Sequence, residues 1–214
     1  MFWQDYHDVL FKYLDLNETY SSDHQHKDVE MKSILYSGEH ILKSRVTDIS
    51  QGITAIYNNI IYPKTGSNLP CFGMDLMAFF EKKVILTFDF QHPREHYDFD
   101  HDVVKERMGE YEGNTKDIRF FEPGNHFSRY VFVRKCNMNE VDKFLPDFEK
   151  YVSTYAILLE QSQPKGNDVS EYGLFDKYML ELDPVSGYMS STFGKEFGHK
   201  YVNEFLFEYA SMGL

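Results

Sequence analysis

Residues 69–77, Leu-Pro-Cys-Phe-Gly-Met-Asp-Leu-Met, put a carboxylate in the middle of an apolar strand. Strand side chains alternate between two faces. Cys71, Gly73, Asp75 and Met77 therefore share one face, and Phe72, Met74 and Leu76 share the other. A carboxylate among apolar neighbours is costly to bury unless it is paired, hydrogen-bonded or protonated. Gly73, two residues earlier on the same face, removes a side chain and opens space beside Asp75. A flat ligand fits such a place, with Asp75 as its acid. The plainer reading is a strand-end aspartate satisfied by backbone donors, and this run alone favours it.

The rest of the chain supplies a sheet around that strand. Residues 31–36, 41–49 and 53–62 read as strands, with Pro63 closing the third and a turn-rich connection over 63–70. After a turn at 81–83, residues 84–91 alternate Val84, Leu86, Phe88 and Phe90 against Ile85, Thr87 and Asp89. Strands this closely spaced make an antiparallel meander. Residues 2–15 show helical spacing of apolar residues, and 17–30 are polar and read as a loop. Residues 102–111 fit a short helix, 113–116 a loop, 118–121 a short extended run and 127–133 another strand. The clearest helix is 139–160, which Pro146 should kink or move to a later start. Residues 175–182, 185–193 and 201–209 are helical, with a stop at Gly194. The expected class is α+β: a central antiparallel sheet between helices, one domain over residues 1–214.

Composition narrows the function. A net charge of −12 argues against a nucleic-acid binder and against an anionic membrane surface. Two distant cysteines, Cys71 and Cys136, suit a reducing cytosol and leave no cysteine-ligated cluster or zinc site. There is no basic n-region or long apolar run, so neither a signal peptide nor a transmembrane helix is expected. Aromatic content of 17% leans toward flat pocket walls, although packing alone also uses aromatics.

His92-Pro93-Arg94-Glu95-His96 matches a zinc-peptidase string. That chemistry needs a continuous helix, and Pro93 interrupts this one directly after a strand, so no metal site is expected. Asp98, Asp100, His101 and Asp102 read as a solvated loop. Neither a G-x-S-x-G elbow nor a glycine-rich nucleotide motif is present, which disfavours serine hydrolysis, flavin and NAD. Asp183-Pro184 opens a helical stretch, where Asp is a favoured cap and Pro a favoured first residue. A cap in a pocket wall can still face a ligand. Asn58 shares a strand face with Ile56, Ile60 and Tyr62, and needs a partner there: backbone, or a ligand carbonyl or lactam.

Several runs, in order, resemble the ferredoxin-dependent bilin reductases. They are 56–66 (Ile-Tyr-Asn-Asn-Ile-Ile-Tyr-Pro-Lys-Thr-Gly), 69–75, 88–95 (Phe-Asp-Phe-Gln-His-Pro-Arg-Glu), 124–128 (Gly-Asn-His-Phe-Ser) and 181–185 (Glu-Leu-Asp-Pro-Val). The likeness spans roughly 38–209 and is closest to the four-electron, phycoerythrobilin-forming branch best known from phages of marine cyanobacteria. It implies an α/β/α sandwich with the bilin between the sheet and the C-terminal helices. It implies no bound metal or organic cofactor, with electrons arriving singly from reduced ferredoxin and protons supplied by the protein. The family's central acid falls on Asp75 and its second acid on Asp183. Asn58 stands where phycocyanobilin-forming relatives carry His, and Val46 where they carry a Glu tied to reduction of the outer vinyl group. The product is therefore expected to keep that vinyl. Arg119 falls near a propionate-binding Arg, across a one-residue gap. Phe72, Gly73 and Met74 are expected to line the bilin beside Asp75.

The resemblance thus implies reduction of biliverdin IXα to phycoerythrobilin via 15,16-dihydrobiliverdin, by a cytoplasmic monomer. Two alternatives stand beside it: a two-electron reductase that stops at the dihydro intermediate, and a non-catalytic bilin chaperone, which retention of both acids disfavours. Ferredoxins are acidic, so a chain at −12 needs a local basic patch. Lys64, Lys82, Lys83, Arg129, Arg134 and Lys135 are the candidates.

Overall fold

Seven strands pair in chain order into one antiparallel sheet: β1 (Asn17–His26), β2 (Val29–Ser37), β3 (Ile41–Gln51), β4 (Thr54–Pro63), β5 (Cys71–Phe79), β6 (Lys83–Gln91) and β7 (Phe132–Cys136). Six α-helices accompany it among the described residues: α1 (Gln4–Tyr13), α2 (Asp102–Met108), α3 (Leu145–Ser162), α4 (Gly173–Glu181), α5 (Val185–Phe193) and α6 (Lys195–Tyr201). The computed structural model describes residues 1–66, 68–79, 83–94, 101–109, 126–182 and 185–212. The α+β sandwich expected from the sequence is the architecture observed.

The two faces of the sheet are covered differently. On one, α1 and α3 lie over Val46, Tyr57, Ile61, Phe72, Met74, Leu76, Leu86, Phe88 and Phe90 in one continuous core. Helix α3 forms because Phe148, Tyr151, Val152, Tyr155, Leu158 and Leu159 fall on one helical stripe, and Pro146 sits in its first turn, where its missing N–H costs nothing. Aromatic pairs tie helix to sheet: Phe72 stacks on Tyr155 at 5.4 Å and Phe90 on Tyr151 at 5.2 Å. Such pairs add about 0.5–1.5 kcal/mol each beyond burial. The opposite face meets the C-terminal helices in three smaller clusters. A polar strip runs between them.

Several boundaries differ from the sequence reading. Residues 17–26 are strand β1, not loop. Its side chains are polar on both faces because it is the sheet's edge and mostly exposed, so it carries no alternation to read. The strand expected over 127–133 forms later, as β7. Asp89 on β6 accepts both the Ser128 N–H and the Ser128 hydroxyl, and the Val131 N–H bonds back to Ser128 O, which curls 128–131 into a turn. The long helix expected over 139–160 divides into a 3₁₀ segment (Met138–Phe144) and α3. Residues 201–209 are not one helix. After α6 comes a π-helical segment, Val202–Leu206, closed by the Phe207 N–H on Val202 O, then a 3₁₀ segment, Glu208–Met212. The last is pinned by the Tyr209 N–H on the buried Asp176 carboxylate of α4. The runs 113–116 and 118–121 lie outside the described residues.

Candidate active site

Strand register lays the polar strip out in rows. Thr47, Asn58, Asp75 and Thr87 face one another across β3, β4, β5 and β6. The next row toward the start of β5 is Arg45, Ile60, Gly73 and Asp89. On the other side lie Ile49, Ile56, Met77 and Ile85. Most of this face is buried, but Ile56, Asn58, Asp75, Met77 and Ile85 are half-buried. They make an apolar floor with two polar groups at its centre. Met179 and Leu180 of α4, with Val185 and Tyr188 of α5, pack on the cluster beside it.

A chain of hydrogen bonds ends on Asp75. The Arg45 guanidinium donates to Asn58 Oδ1 at 2.8 Å, and the Asn58 amide donates to Asp75 Oδ1. Burial raises the Asp75 pKa above that of a free aspartate, against the opposing pull of the Asn58 bond and the Arg45 charge. A carboxyl held that way keeps its proton to a higher pH than a free aspartate and can deliver it to a ligand on the floor. Among the described residues, three buried polar atoms on the same face have no partner: Arg45 Nε, Thr87 Oγ1 and Gln91 Oε1. Buried polar atoms are normally satisfied, and these offer a ligand rich in N–H and C=O groups both donors and acceptors.

Of the expected site residues, the structure brings together Asn58 and Asp75; Gly73 shares their face, but the Gln91 amide fills the room its missing side chain leaves, which corrects the expected open space beside Asp75. Phe72 and Met74 do not join them. They point to the other face, where Phe72 is fully buried against Phe90, Phe148 and Tyr155, so their expected contact with the bilin is corrected by the two-residue period of the strand. Val46 is likewise buried in the opposite core, and the β3 residue that reaches Asn58 is Arg45. Arg119 and Asp183 lie outside the described residues, as do Glu95, His96, Asp98 and Asp100. His92 sits at the end of β6 rather than on a helix. Its Nδ1 accepts the Arg94 N–H, and burial lowers its pKa to about 4. The basic candidates do not form one patch. Lys83 and Lys135 share one end of the sheet, Lys64 follows β4 at the other, about 25 Å away by strand rise, and Lys82 lies outside the described residues.

The sequence reading missed Arg45. Its signal was a charged residue inside an apolar strand, two positions from Thr47 on the face shared with Asn58. It also missed Asp89, a fully buried carboxylate on the same face whose pKa burial raises to about 7.

The family model for the ferredoxin-dependent bilin reductases matches residues 10–208. The chain belongs to that family. A relative from Nostoc punctiforme, a 15,16-dihydrobiliverdin:ferredoxin oxidoreductase, is 27% identical over 87% of this chain and 82% of its own length. One of the same name from Gloeobacter violaceus is 29% identical over the same shares. Among solved structures, tomato phytochromobilin synthase in complex with biliverdin shares the fold, with a TM-score of 0.68 at 16% identity, covering all of this chain and 85% of that one. As a bilin reductase of the ferredoxin-dependent class, the chain is an oxidoreductase. No described helix is long and apolar enough to cross a membrane.

Proposed function

We propose that this bilin reductase converts biliverdin IXα to phycoerythrobilin through 15,16-dihydrobiliverdin, with electrons delivered one at a time by reduced ferredoxin. The observation that carries the reading is Asp75: a half-buried carboxyl with a raised pKa, at the centre of an apolar floor. A tetrapyrrole lying on Ile56, Met77 and Ile85 meets that carboxyl edge-on. Asp75 supplies a proton to the reduced pigment. Asn58 stays neutral and keeps a second amide hydrogen for a lactam oxygen. Asp183, assigned by resemblance, serves the second reduction, and Arg119, assigned the same way, binds a propionate.

The names of the relatives favour a second reading, a two-electron enzyme that releases 15,16-dihydrobiliverdin. Anaerobic turnover with biliverdin and reduced ferredoxin, with the products separated by chromatography, decides between them. Phycoerythrobilin as the end product supports the proposal, and accumulated dihydrobiliverdin supports the second reading. Stoichiometric binding without reduction contradicts both and leaves a pigment carrier.

A further inference from the structure

Arg45 is an unusual residue to find where it is. It is 1% exposed, in a strand, with Nε unpartnered. Among the described residues no carboxylate lies within ion-pairing distance of it, whereas a buried arginine kept for packing is ordinarily paired. The Phe207 ring lies 5.6 Å from its guanidinium carbon. Its one hydrogen bond there goes to Asn58 Oδ1. That bond decides the orientation of the Asn58 amide. With Oδ1 held by Arg45, the amide nitrogen must face Asp75, and it binds Asp75 Oδ1. Asp75 Oδ2 has no partner among the described residues, so it is the oxygen left to carry the proton toward a ligand.

We infer that Arg45 is a positioning residue for bilin reduction: acting through Asn58, it fixes which Asp75 oxygen faces the pigment and sets the pH range over which that oxygen stays protonated. This rests on the function proposed above. Among the described residues, the other charged groups nearby have separate engagements. Lys43, on the same strand, pairs with Glu208 at 2.6 Å. Asp176 of α4 accepts from the Tyr62 hydroxyl and the Tyr209 N–H. Asp89, diagonal to Asp75 on β6, is held by Ser128. From α6, Tyr201 presents only its hydroxyl, bonded to Ser33 and Thr47. Among the described residues Arg45 is thus the charge coupled to Asp75, and the coupling favours the ionised carboxylate.

The test compares wild type, Arg45→Gln and Arg45→Lys as full chains. Each is assayed for turnover with reduced ferredoxin and biliverdin across pH, and bound-biliverdin absorbance is titrated without reductant. Wild-type turnover should fall on the alkaline side as Asp75 loses its proton. In Arg45→Gln that limb should move up by about one pH unit or more, with the absorbance titration moving alike. Arg45→Lys should return the limb to its wild-type place. An unmoved limb and titration in a folded, bilin-binding Arg45→Gln would overturn the inference. Should Arg45→Gln fail to fold, Arg45→Lys decides: an ammonium keeps the charge but not the planar hold on the amide. Turnover should then drop about tenfold or more, and unchanged turnover overturns the inference. A wild type that binds biliverdin but never reduces it contradicts the proposed function instead, and the absorbance titration still tests Arg45.

Discussion

A Cβ added to Gly73 would lie 2.1 Å from Gln91 Oε1, so the missing side chain of one residue is the room occupied by the other. Gln91 is 5% exposed, and its amide lies across β5 beside the Asp75 row. Gly73→Ala should push that amide away, destabilise the fold by about 1–3 kcal/mol and weaken biliverdin binding. Chemical denaturation and bilin titration measure both. Wild-type stability together with wild-type affinity would show that the close approach has no consequence. Gly198→Ala should cost more, because its Cβ would meet the backbone at Ser190 N, 2.6 Å away, and no side chain can rotate clear.

Asp89 should make stability fall as pH rises. Burial lifts its folded pKa from 3.8 to about 7, against the Ser128 bonds, so the folded state holds the proton more tightly than the unfolded chain. Stability from this group is full below the unfolded value, declines through the window up to about 7 and is flat above it. Asp48 and Asp176, each raised to about 6, slope the same way, so the informative quantity is a difference between proteins. Asp89→Asn should gain on wild type by a few kcal/mol, in order of magnitude, across that window. A difference that stays constant with pH, by urea unfolding, would contradict the assignment.

Asp183→Asn should stop the reaction at 15,16-dihydrobiliverdin. Asp183 stands two positions before α5 in the sequence, and Asn matches Asp closely in size and shape, so stability should hold. Product chromatography and thermal unfolding are the two readouts. Undiminished phycoerythrobilin formation would remove Asp183 from the second reduction.

Much of the sheet was legible because β2 to β6 alternate apolar side chains, and β5 announced its acid by the cost of burying one. Strand β1 was hidden because an exposed edge strand has no inward face to mark. β7 slipped because one long-range contact, Asp89 to Ser128, curled residues that favour strand. Within the site, Asn58 and Asp75 were found as separate residues, and only register made them neighbours. Phe72 and Met74 were assigned to the pigment by sequence adjacency, although the period of two had already put them on the other face. The same period puts Arg45 and Thr47, not Val46, on the site face. Arg45 was missed because its partner, Asn58, lies on the next strand, and only the strand register, which the sequence does not state, brings the two together.

In the proposed reaction the Asp75 carboxyl gives its proton to the bilin. Asp75→Asn keeps the shape and the contact with Asn58 but carries no acidic proton. Under anaerobic conditions with reduced ferredoxin, the variant should bind biliverdin as tightly as wild type and lose nearly all reduction. Product formation at the wild-type rate by that folded, pigment-binding variant would contradict the account.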